Sequence, residues 1–233
     1  MKLQTITFRL RRVIFIMQKR RAVIFANGAL PDLNAARQLL REDDFWIAAD
    51  GGSQHALECG RAPDILIGDL DSIPDPVREF LERAGTTMQT HPAEKDETDL
   101  ELAVWFALRE EFSSILIVGG LGGRTDQILA NLSLLADPAL REYDIRIDDG
   151  CEEALCVRES AILNGAAGDV VSLIPFGMAA QRVVTKGLQY PLREETLLPS
   201  RTRGVSNRMS ASQAEISLER GVLLCIHTRS ITQ

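Results

Sequence analysis

Short apolar runs alternate with helical stripes along the first 140 residues of the chain. Each run stops abruptly at a glycine, an asparagine or an aspartate, as expected of a strand that is buried on both faces. Between the runs, apolar residues recur at the helical period, so one side of each helix would face a sheet. This alternation predicts an α/β fold with an open, mainly parallel sheet and helices on both of its faces. The predicted strands are residues 22–26, 45–49, 65–67 and 114–118.

The pattern changes from about Tyr143 onward. Short strand-like runs follow one another there without helical stripes between them, which predicts a separate all-β sandwich domain. We therefore expect an α/β domain over residues 22–140 and a β-sandwich domain over residues 141–233. Residues 1–21 are rich in Lys and Arg and match neither pattern, and we expect them to form a disordered tail.

Composition and charge argue against several classes of protein. The chain has 26 Lys and Arg residues against 33 Asp and Glu residues, a net charge of −7, which speaks against a broad nucleic-acid surface. No stretch is apolar for long enough to cross a bilayer. The four cysteines lack zinc-site spacing, and scattered free thiols are typical of a reducing compartment. We expect a cytoplasmic protein that binds neither nucleic acid nor membrane.

Two aspartates directly follow the third predicted strand. Asp69 and Asp71 stand one residue apart, after a break at Gly68. Ligands of open α/β sheets bind beyond the carboxyl ends of the strands, and two close carboxylates repel each other unless a cation lies between them. Hard oxygen ligands of this kind suit Mg²⁺, which brings phosphate oxygens as further ligands. A polar turn with an Asx cap uses the same residue types, so the pair alone leaves both interpretations open.

A second charged group stands at the start of a predicted helix. Lys95, Asp96 and Asp99 surround the first turn, which is marked by Thr98 and Glu101 at capping-box spacing. Asp99 is also explained by the helix dipole, because a helix N-terminus favours negative charge. Lys95 is not explained in this way, since a cation at that end is unfavourable unless an anion lies close by. Lys95 beside Asp96 therefore indicates a phosphate and metal site.

A glycine-rich loop joins the predicted strand at 114–118 to the next helix. Backbone N–H groups in such a loop can cradle phosphates. The loop follows neither the Walker pattern nor Gly-x-Gly-x-x-Gly, because Thr125 stands where the third glycine would be. Arg124 can hold a phosphate with a fork of two donors that a lysine cannot match. The candidate ligand-binding residues of the loop are Gly120, Gly122, Gly123, Arg124, Asp126 and Gln127.

Two further polar groups end predicted strands in the same half of the chain. Asn27 follows the first strand, and Asp50, Gly51 and Gly52 follow the second. Glycines at such a point let a ligand approach the backbone closely. The polar groups of this half thus all fall after strands, and the carboxyl ends of parallel strands share one edge of the sheet. A set of unrelated turns is a poor explanation for so many polar groups at one edge of the sheet.

These motifs, in this order, resemble those of the thiamine pyrophosphokinase family. The matching segments are 50–52, 68–72, 95–99 and 119–127, followed by 187–192, 204–207 and 221–224, so the resemblance runs from about Ala22 to Thr228. It implies transfer of a pyrophosphoryl group from ATP to the hydroxyethyl arm of thiamine, giving thiamine diphosphate and AMP. It also implies Mg²⁺, a homodimer, and a thiamine site between the α/β domain of one subunit and the β-domain of the other. Gln127 departs from the family pattern, since many bacterial members have His there.

The resemblance and the residue types assign a role to each candidate. Asp71 and Asp99, helped by Asp69 and Asp96, would hold Mg²⁺ on the ATP phosphates. Lys95 and Arg124 would offset charge on the β-phosphate and on departing AMP. Asp71 or Asp96 would be a modest base, because phosphoryl-type transfer needs little deprotonation of the alcohol. The remaining assignments are nucleotide contacts by Asn27, residues 50–52, Gly120, Gly122, Gly123, Asp126 and Gln127, and thiamine contacts by Ser206 and Asn207.

Two other classes of function use some of the same features. A nucleotide-sugar transferase also holds a metal and a diphosphate with Asp-x-Asp, but it gives no reason for Lys95–Asp96 or for Arg124 and Asp126. A non-catalytic module that binds nucleotide or thiamine on the same fold would be expected to lack at least one metal carboxylate. The chain carries every one of these carboxylates, so the sequence favours the enzyme.

Overall fold

The computed structural model describes residues 20–71 and 73–230. The strands are β1 (Arg21–Phe25), β2 (Phe45–Ala49), β3 (Ile65–Gly68), β4 (Thr87–Thr90), β5 (Ser114–Val118), β6 (Asp144–Asp148), β7 (Glu152–Val157), β8 (Ser160–Asn164), β9 (Val170–Pro175), β10 (Ala180–Lys186), β11 (Arg193–Leu197), β12 (Asn207–Arg208), β13 (Gln213–Ser217) and β14 (Leu223–Thr228). The helices are α1 (Leu33–Gln38), α2 (Gly52–Cys59), α3 (Asp75–Arg83), α4 (Asp99–Arg109) and α5 (Thr125–Leu135), and a 3-10 turn follows at Pro138–Leu140.

Six parallel strands form one half of a large sheet. They lie in the order β6-β5-β1-β2-β3-β4, and Val23 of β1 stands between Trp46 of β2 and Leu116 of β5. From β1 the chain winds in one direction through β2, β3 and β4, and later in the other direction through β5 and β6. The strand order therefore reverses between β1 and β5. In open α/β sheets, ligands bind in the crevice at such a reversal.

Helices cover both faces of this parallel half. On one face, α4 and α5 bury Leu100, Val104 and Leu132 against the sheet. On the other face, α1 and α2 bury Ala36 and Ala56. Successive side chains of a strand point to opposite faces and meet apolar partners on both, which explains why these strands are continuous apolar runs in the sequence.

The large sheet continues into the C-terminal half as β7, β14, β9 and β12, where neighbouring strands are antiparallel. A second antiparallel sheet, in the order β11-β10-β13-β8, packs against it. The two sheets share one core, with Leu173 and Cys225 on the large sheet and Leu163, Val183 and Ile216 on the small one. The predicted fold class, an α/β sheet with helices on both faces plus a C-terminal β-sandwich, is confirmed.

The boundaries of the elements differ from the prediction in a few places. The first strand begins at Arg21 rather than at residue 22, and the predicted disordered tail over residues 1–21 otherwise lies almost entirely outside the described residues. The sequence pattern missed β4, β8, β11 and β12. The predicted domain boundary between residues 140 and 141 remains a prediction. The large sheet runs across this position, since β6 pairs with β5.

None of the helices in the described ranges combines the length and apolar character needed to cross a membrane. The four cysteines are free thiols. Burial raises the pKa of the Cys156 thiol to about 11, and a thiol that stays protonated is a poor nucleophile. The structure therefore gives Cys156 no chemical role.

Candidate active site

A cavity of about 560 Å³ lies where the strand order reverses. This volume falls in the usual range for small-molecule sites. The loop after β1 contributes Asn27 and Gly28, and the loop after β5 contributes Gly122 and Gly123. The two loops are joined by a hydrogen bond from the Gly28 amide to the Gly119 carbonyl, with an N···O distance of 2.9 Å. Two neighbouring strands thus fix one side of the cavity through backbone contacts.

The lining also carries six charged side chains. Its carboxylates are Asp50, Asp69, Glu97 and Asp99, and its cations are Lys95 and Arg124. A polyphosphate would be attracted by the two cations and repelled by the carboxylates. The lining is therefore suited to an anionic ligand that arrives together with a further cation.

Asp71 stands at the edge of this acidic group. A hydrogen bond and charge repulsion from Asp69, then the charges of Asp50 and Asp99, raise the pKa of the Asp71 carboxyl. The Asp71 amide also donates to Asp69 Oδ1 at 3.2 Å. The structure thus brings together carboxylates from the ends of β2 and β3 and from the start of α4, far apart along the chain.

Lys95 reaches the same region from the loop before α4. Its Nζ lies 3.0 Å from Asp99 Oδ1 and donates to the Pro92 carbonyl at 3.1 Å. Thr98 is the N-cap of α4, since its Oγ1 accepts a hydrogen bond from the Glu101 amide at 3.1 Å. This is one half of the predicted capping box; Oε1 of Glu101 accepts from Trp105 Nε1 at 3.2 Å. The ion pair of Lys95 is with Asp99, four residues further along the chain, while the adjacent Asp96 is exposed.

Arg124 and Asp126 form a forked ion pair at the start of α5. Arg124 Nη2 lies 2.6 Å from Asp126 Oδ2, and Nε lies 3.1 Å from Oδ1. Hydrogen bonding from Arg124 lowers the pKa of Asp126, and the same bond raises the pKa of Arg124. Both side chains are exposed. Asp126 thus acts in this structure as the counter-ion that orients the guanidinium at the cavity entrance.

The predicted glycines are needed because backbones approach each other closely. A Cβ on Gly52 would overlap the Phe25 carbonyl, and a Cβ on Gly122 would overlap the Ala29 carbonyl. The side chain of Asn27 lies directly against Gly51. These glycines let the loops after β1, β2 and β5 come together and so shape the cavity. Their predicted contact with nucleotide stays a prediction.

The cavity lining includes part of the predicted site. Among the candidates it contains Asn27, Asp50, Asp69, Lys95, Asp99, Gly122, Gly123, Arg124 and Gln127. It does not contain Gly51, Gly52, Asp71, Gly120, Asp96 or Asp126. Gly120 packs against Ile147 instead, where a Cβ would lie 2.7 Å from Ile147 Cγ2.

Ser206 and Asn207 lie elsewhere, at the outer strand of the large sheet. Ser206 is exposed, and its amide donates to Ser172 Oγ at 3.1 Å. Asn207 is buried, with 6% of its surface exposed, and its side-chain amide bonds to the main chain of Tyr190. The Asn207 side chain thus forms a structural contact in the described chain, and its predicted contact with thiamine stays a prediction.

Sequence reasoning missed Glu97 and Asn131 as lining residues. Asn131 donates from Nδ2 to the Gly120 carbonyl at 2.9 Å and so holds the glycine-rich loop. The sequence could have indicated Asn131 as a lining residue, because it lies four residues after the candidate Gln127 on α5 and shares one face of the helix with it.

The chemistry of the acidic group fits Mg²⁺. Within the described residues, no three His, Cys, Asp or Glu side chains stand close enough together to enclose a metal ion by themselves. Mg²⁺ does not require such a cage, because it is usually held by one or two carboxylates together with water and phosphate oxygens. One or two of the carboxylates of Asp69, Asp71 and Asp99, with phosphate oxygens of a ligand in the cavity, would be a donor set of this kind.

Two family models match the chain. The thiamin pyrophosphokinase catalytic domain matches residues 36–172, and the thiamin pyrophosphokinase vitamin B1 binding domain matches residues 158–223. The chain belongs to the thiamine pyrophosphokinase family. The resemblance found in the motifs is therefore confirmed over both halves of the molecule.

Individual members of the family agree with this assignment. The thiamine pyrophosphokinase of Bacillus subtilis is 31% identical over 201 residues, which cover 85% of this chain and 92% of that protein. The crystal structure of thiamine pyrophosphokinase from Bacillus subtilis superposes with a TM-score of 0.80 at 28% identity, covering 91% of this chain and 100% of the other. That of the Geobacillus thermodenitrificans enzyme gives a TM-score of 0.77 at 26% identity, covering 91% and 99%.

A relative with a different acceptor matches a shorter segment. The 6-hydroxymethyl-7,8-dihydropterin pyrophosphokinase of Pyrococcus furiosus is 35% identical over 119 residues, which cover 48% of this chain and 47% of that protein. By name, both kinds of relative are pyrophosphokinases, and they differ in the acceptor.

Proposed function

We propose that this protein transfers the pyrophosphoryl group of ATP to the hydroxyl of thiamine, giving thiamine diphosphate and AMP. The observation that carries the proposal is the match of both domains, because the second one is a vitamin B1 binding domain. The charged cavity beside the glycine-rich loop supports a nucleoside triphosphate as the donor of the pyrophosphoryl group.

ATP is proposed to occupy the cavity at the strand reversal. Asn27, Gly122, Gly123 and Gln127 are its proposed nucleotide contacts, since they line that cavity from the loops after β1 and β5 and from α5. Asp50, with Gly51 and Gly52, would shape the neighbouring wall. Gly120 and Asp126 would act indirectly, through the loop and through Arg124.

Mg²⁺ is proposed to be held by Asp69, Asp71 and Asp99, with Asp96 as a further candidate. When bound, the ion would neutralise negative charge on the phosphates and so make attack on the β-phosphorus possible. The carboxylates that line the cavity support this assignment, because they would otherwise repel the triphosphate.

Lys95 and Arg124 are proposed to stabilise the charge that moves during the reaction. The thiamine oxygen forms a bond to the β-phosphorus, the bond from that phosphorus to the α–β bridging oxygen breaks, and AMP leaves with the bridging oxygen and its charge. Both cations line the cavity and can offset that charge. The hydroxyl proton passes to solvent or to a carboxylate, and Asp71 or Asp96 would contribute modestly as a base.

The family resemblance also implies a homodimer with thiamine bound between subunits, and we propose this assembly. Ser206 and Asn207 are the proposed residues near thiamine, since they fall within the vitamin B1 binding match. The free cysteines support a reducing compartment, for which we propose the cytoplasm.

Product analysis with two acceptors tests the proposal. Purified protein is incubated with ATP, Mg²⁺ and either thiamine or a hydroxymethyl dihydropterin, and the products are measured by mass spectrometry. We expect thiamine diphosphate and AMP in equal amounts, and no pyrophosphorylated pterin. Turnover of the pterin alone would overturn the proposal, as would release of nucleoside diphosphate in a parallel incubation with a nucleotide sugar in place of ATP.

A further inference from the structure

We propose that His55 is a positioning residue for ATP, because its ring fixes the Gly28 carbonyl and with it the loop after β1. The inference rests on the proposed function, which places ATP in the cavity at the strand reversal. His55 lies on α2, and it is not among the residues that line this cavity. It therefore acts on ATP through the backbone of Gly28 and not by direct contact.

One ring nitrogen of His55 is bonded to the backbone of the loop after β1. His55 Nε2 lies 2.8 Å from the Gly28 carbonyl oxygen. A carbonyl oxygen can only accept a hydrogen bond, so Nε2 carries the proton and donates it. The His55 side chain is 18% exposed, and an acceptor that loses its donor in such a place is costly to leave unpaired.

The other ring nitrogen is not held in this way. His55 Nδ1 is buried and has no hydrogen-bond partner among the described residues. Glu58 Oε2 lies 3.7 Å from it, which is too far for a hydrogen bond. Within the described chain, the ring is therefore fixed by its bond to Gly28, and Glu58 offers a way to perturb the other side of the same ring.

The position of Gly28 sets the spacing between two loops of the cavity. The Gly28 amide donates to the Gly119 carbonyl at 2.9 Å. A Cβ on Gly28 would lie 2.3 Å from the Gly119 carbonyl oxygen and 2.5 Å from that of Gly122. The ring of His55 reaches this junction too, since a Cβ on Gly119 would lie 3.3 Å from His55 Cδ2. A shift of the Gly28 peptide would therefore displace the glycine-rich loop after β5.

The bond also sets the direction of the peptide that joins Gly28 to Ala29. The carbonyl and the N–H of a trans peptide point in opposite directions. The bond to His55 directs the negative end of this peptide towards α2, so the Ala29 N–H points the other way. Both Gly28 and Ala29 line the cavity. This orientation suits an anionic ligand, because backbone N–H groups attract phosphate and carbonyl oxygens repel it.

The helix that carries His55 connects a third loop to the other two. α2 begins at Gly52, directly after the loop that ends β2, and His55 follows three residues later. The Ser53 amide donates to the carbonyl of Asp50 at 3.1 Å, and Asp50 lines the cavity. The contact between His55 and Gly28 thus joins the loop after β2 to the loops after β1 and β5.

ATP binding by a set of His55 variants tests the inference. Leucine has no donor, asparagine has a donor that is too short to reach the Gly28 carbonyl, and glutamine can bring its amide nitrogen close to the position of Nε2. The Kd for ATP is measured by calorimetric titration with Mg²⁺ and without thiamine, and the KM of each substrate by steady-state kinetics. We expect His55→Leu and His55→Asn to raise the Kd and KM for ATP by about tenfold. His55→Gln should stay within about twofold of the wild type, and the KM for thiamine should not change in any variant.

The matched control is Glu58→Gln, which removes the charge beside Nδ1 and should keep the wild-type affinity for ATP. Equal ATP affinity in the wild type and His55→Asn would overturn the inference. Equal losses in His55→Asn and His55→Gln would also overturn it, because reach to the carbonyl would then not matter. This pair decides the inference even if His55→Leu fails to fold. With affinities in the expected order, absence of thiamine diphosphate would overturn the proposed function and still support the role of His55.

Discussion

Lys95 Nζ, from the loop before α4, lies 3.0 Å from Oδ1 of Asp99, the first residue of that helix. Both side chains line the cavity, and Lys95 is only 13% exposed there. A cation at a helix N-terminus is unfavourable by itself, and the Asp99 carboxylate compensates for it. The pair therefore places a positive charge at the wall of an acidic cavity, where a phosphate can reach it.

Replacing Lys95 should lower turnover without unfolding the protein. In Lys95→Met the charge that offsets the β-phosphate is lost, and we expect kcat to fall by about 100-fold. Lys186→Met is the matched control, since Lys186 forms a comparable ion pair with Glu215 at 2.8 Å on the small sheet, and it should keep wild-type kinetics. A Lys95→Met enzyme with near-normal kcat would show that Lys95 has no part in the chemistry.

Asp71→Asn should separate metal binding from folding. A hydrogen bond with Asp69 and charge repulsion by Asp69, Asp50 and Asp99 raise the pKa of Asp71, which disfavours its charged form. The uncharged amide of Asp71→Asn should therefore leave the metal-free protein at least as stable as the wild type. The variant should lose turnover by orders of magnitude. It should also lose most of the rise in thermal midpoint that Mg²⁺ and ATP give the wild type.

The control for Asp71 is Asp43→Asn, an exposed aspartate next to β2 and outside the cavity lining. It should behave as the wild type in both thermal scans and kinetics. If Asp71→Asn retains a near-normal rate at saturating Mg²⁺, the assignment of Asp71 to the metal is wrong.

Arg124 and Asp126 should act as one unit. Arg124→Lys keeps the charge but loses the fork of donors that holds a phosphate, and we expect kcat/KM for ATP to fall by roughly tenfold or more. Asp126→Asn should cost less, because it only frees the guanidinium. Since Asp126 acts through Arg124, the double variant should resemble Arg124→Lys alone, and fully additive losses in a double-mutant cycle would contradict this coupling.

A buried charge cluster in the β-half should make stability depend on pH. The Glu153 carboxylate, whose Oε2 lies 3.6 Å from His227 Nδ1, raises the pKa of His227 above 6.5; burial opposes this shift and the Asp169 carboxylate assists it. Burial opposes ionisation of Asp169, but bonds from the Ser230 and Ala166 amides and from His227 outweigh it and lower its pKa from 3.8 to about 2. The arginines that also face this cluster are Arg146 and Arg229.

The signs of the two shifts are opposite. The raised pKa of His227 gives stability that is complete below pH 6.5 and is lost as the pH rises through the folded-state value. The lowered pKa of Asp169 gives stability that is present above pH 3.8 and is lost as the pH falls towards about 2. Urea unfolding from about pH 6 to about pH 8 should show a decline in the wild type that His227→Gln lacks. His91→Gln, outside this cluster, should follow the wild type, and parallel curves for all three proteins would refute the assignment.

The parallel half of the fold follows closely from the sequence because its strands are buried on both faces. Phe45–Ala49 and Ser114–Val118 are continuous apolar runs, and the structure gives both with the predicted bounds. β4 was missed because Thr87–Thr90 is a polar edge strand with no buried residue. β12 consists of only Asn207 and Arg208, too short for any periodic pattern.

The candidate site was partly predictable for a topological reason. Asp50, Asp69 and the glycine-rich loop all follow parallel strands, so the sheet brings them to one edge. The sequence could not indicate that Asp126 would pair with Arg124, because ion pairing depends on side-chain orientation. Likewise, the burial of Asn207 against Tyr190 depends on how two non-adjacent segments pack.

We propose that an intact pyrophosphoryl group moves from ATP to thiamine in a single step, and the fate of labelled phosphate tests this transfer most directly. ATP carrying ³²P at the γ-position is incubated with the protein, thiamine and Mg²⁺. We expect the label in the terminal phosphate of thiamine diphosphate, with one AMP formed for each molecule of product and no ADP. Labelled thiamine monophosphate with ADP, or labelled inorganic phosphate with no thiamine product, would contradict it.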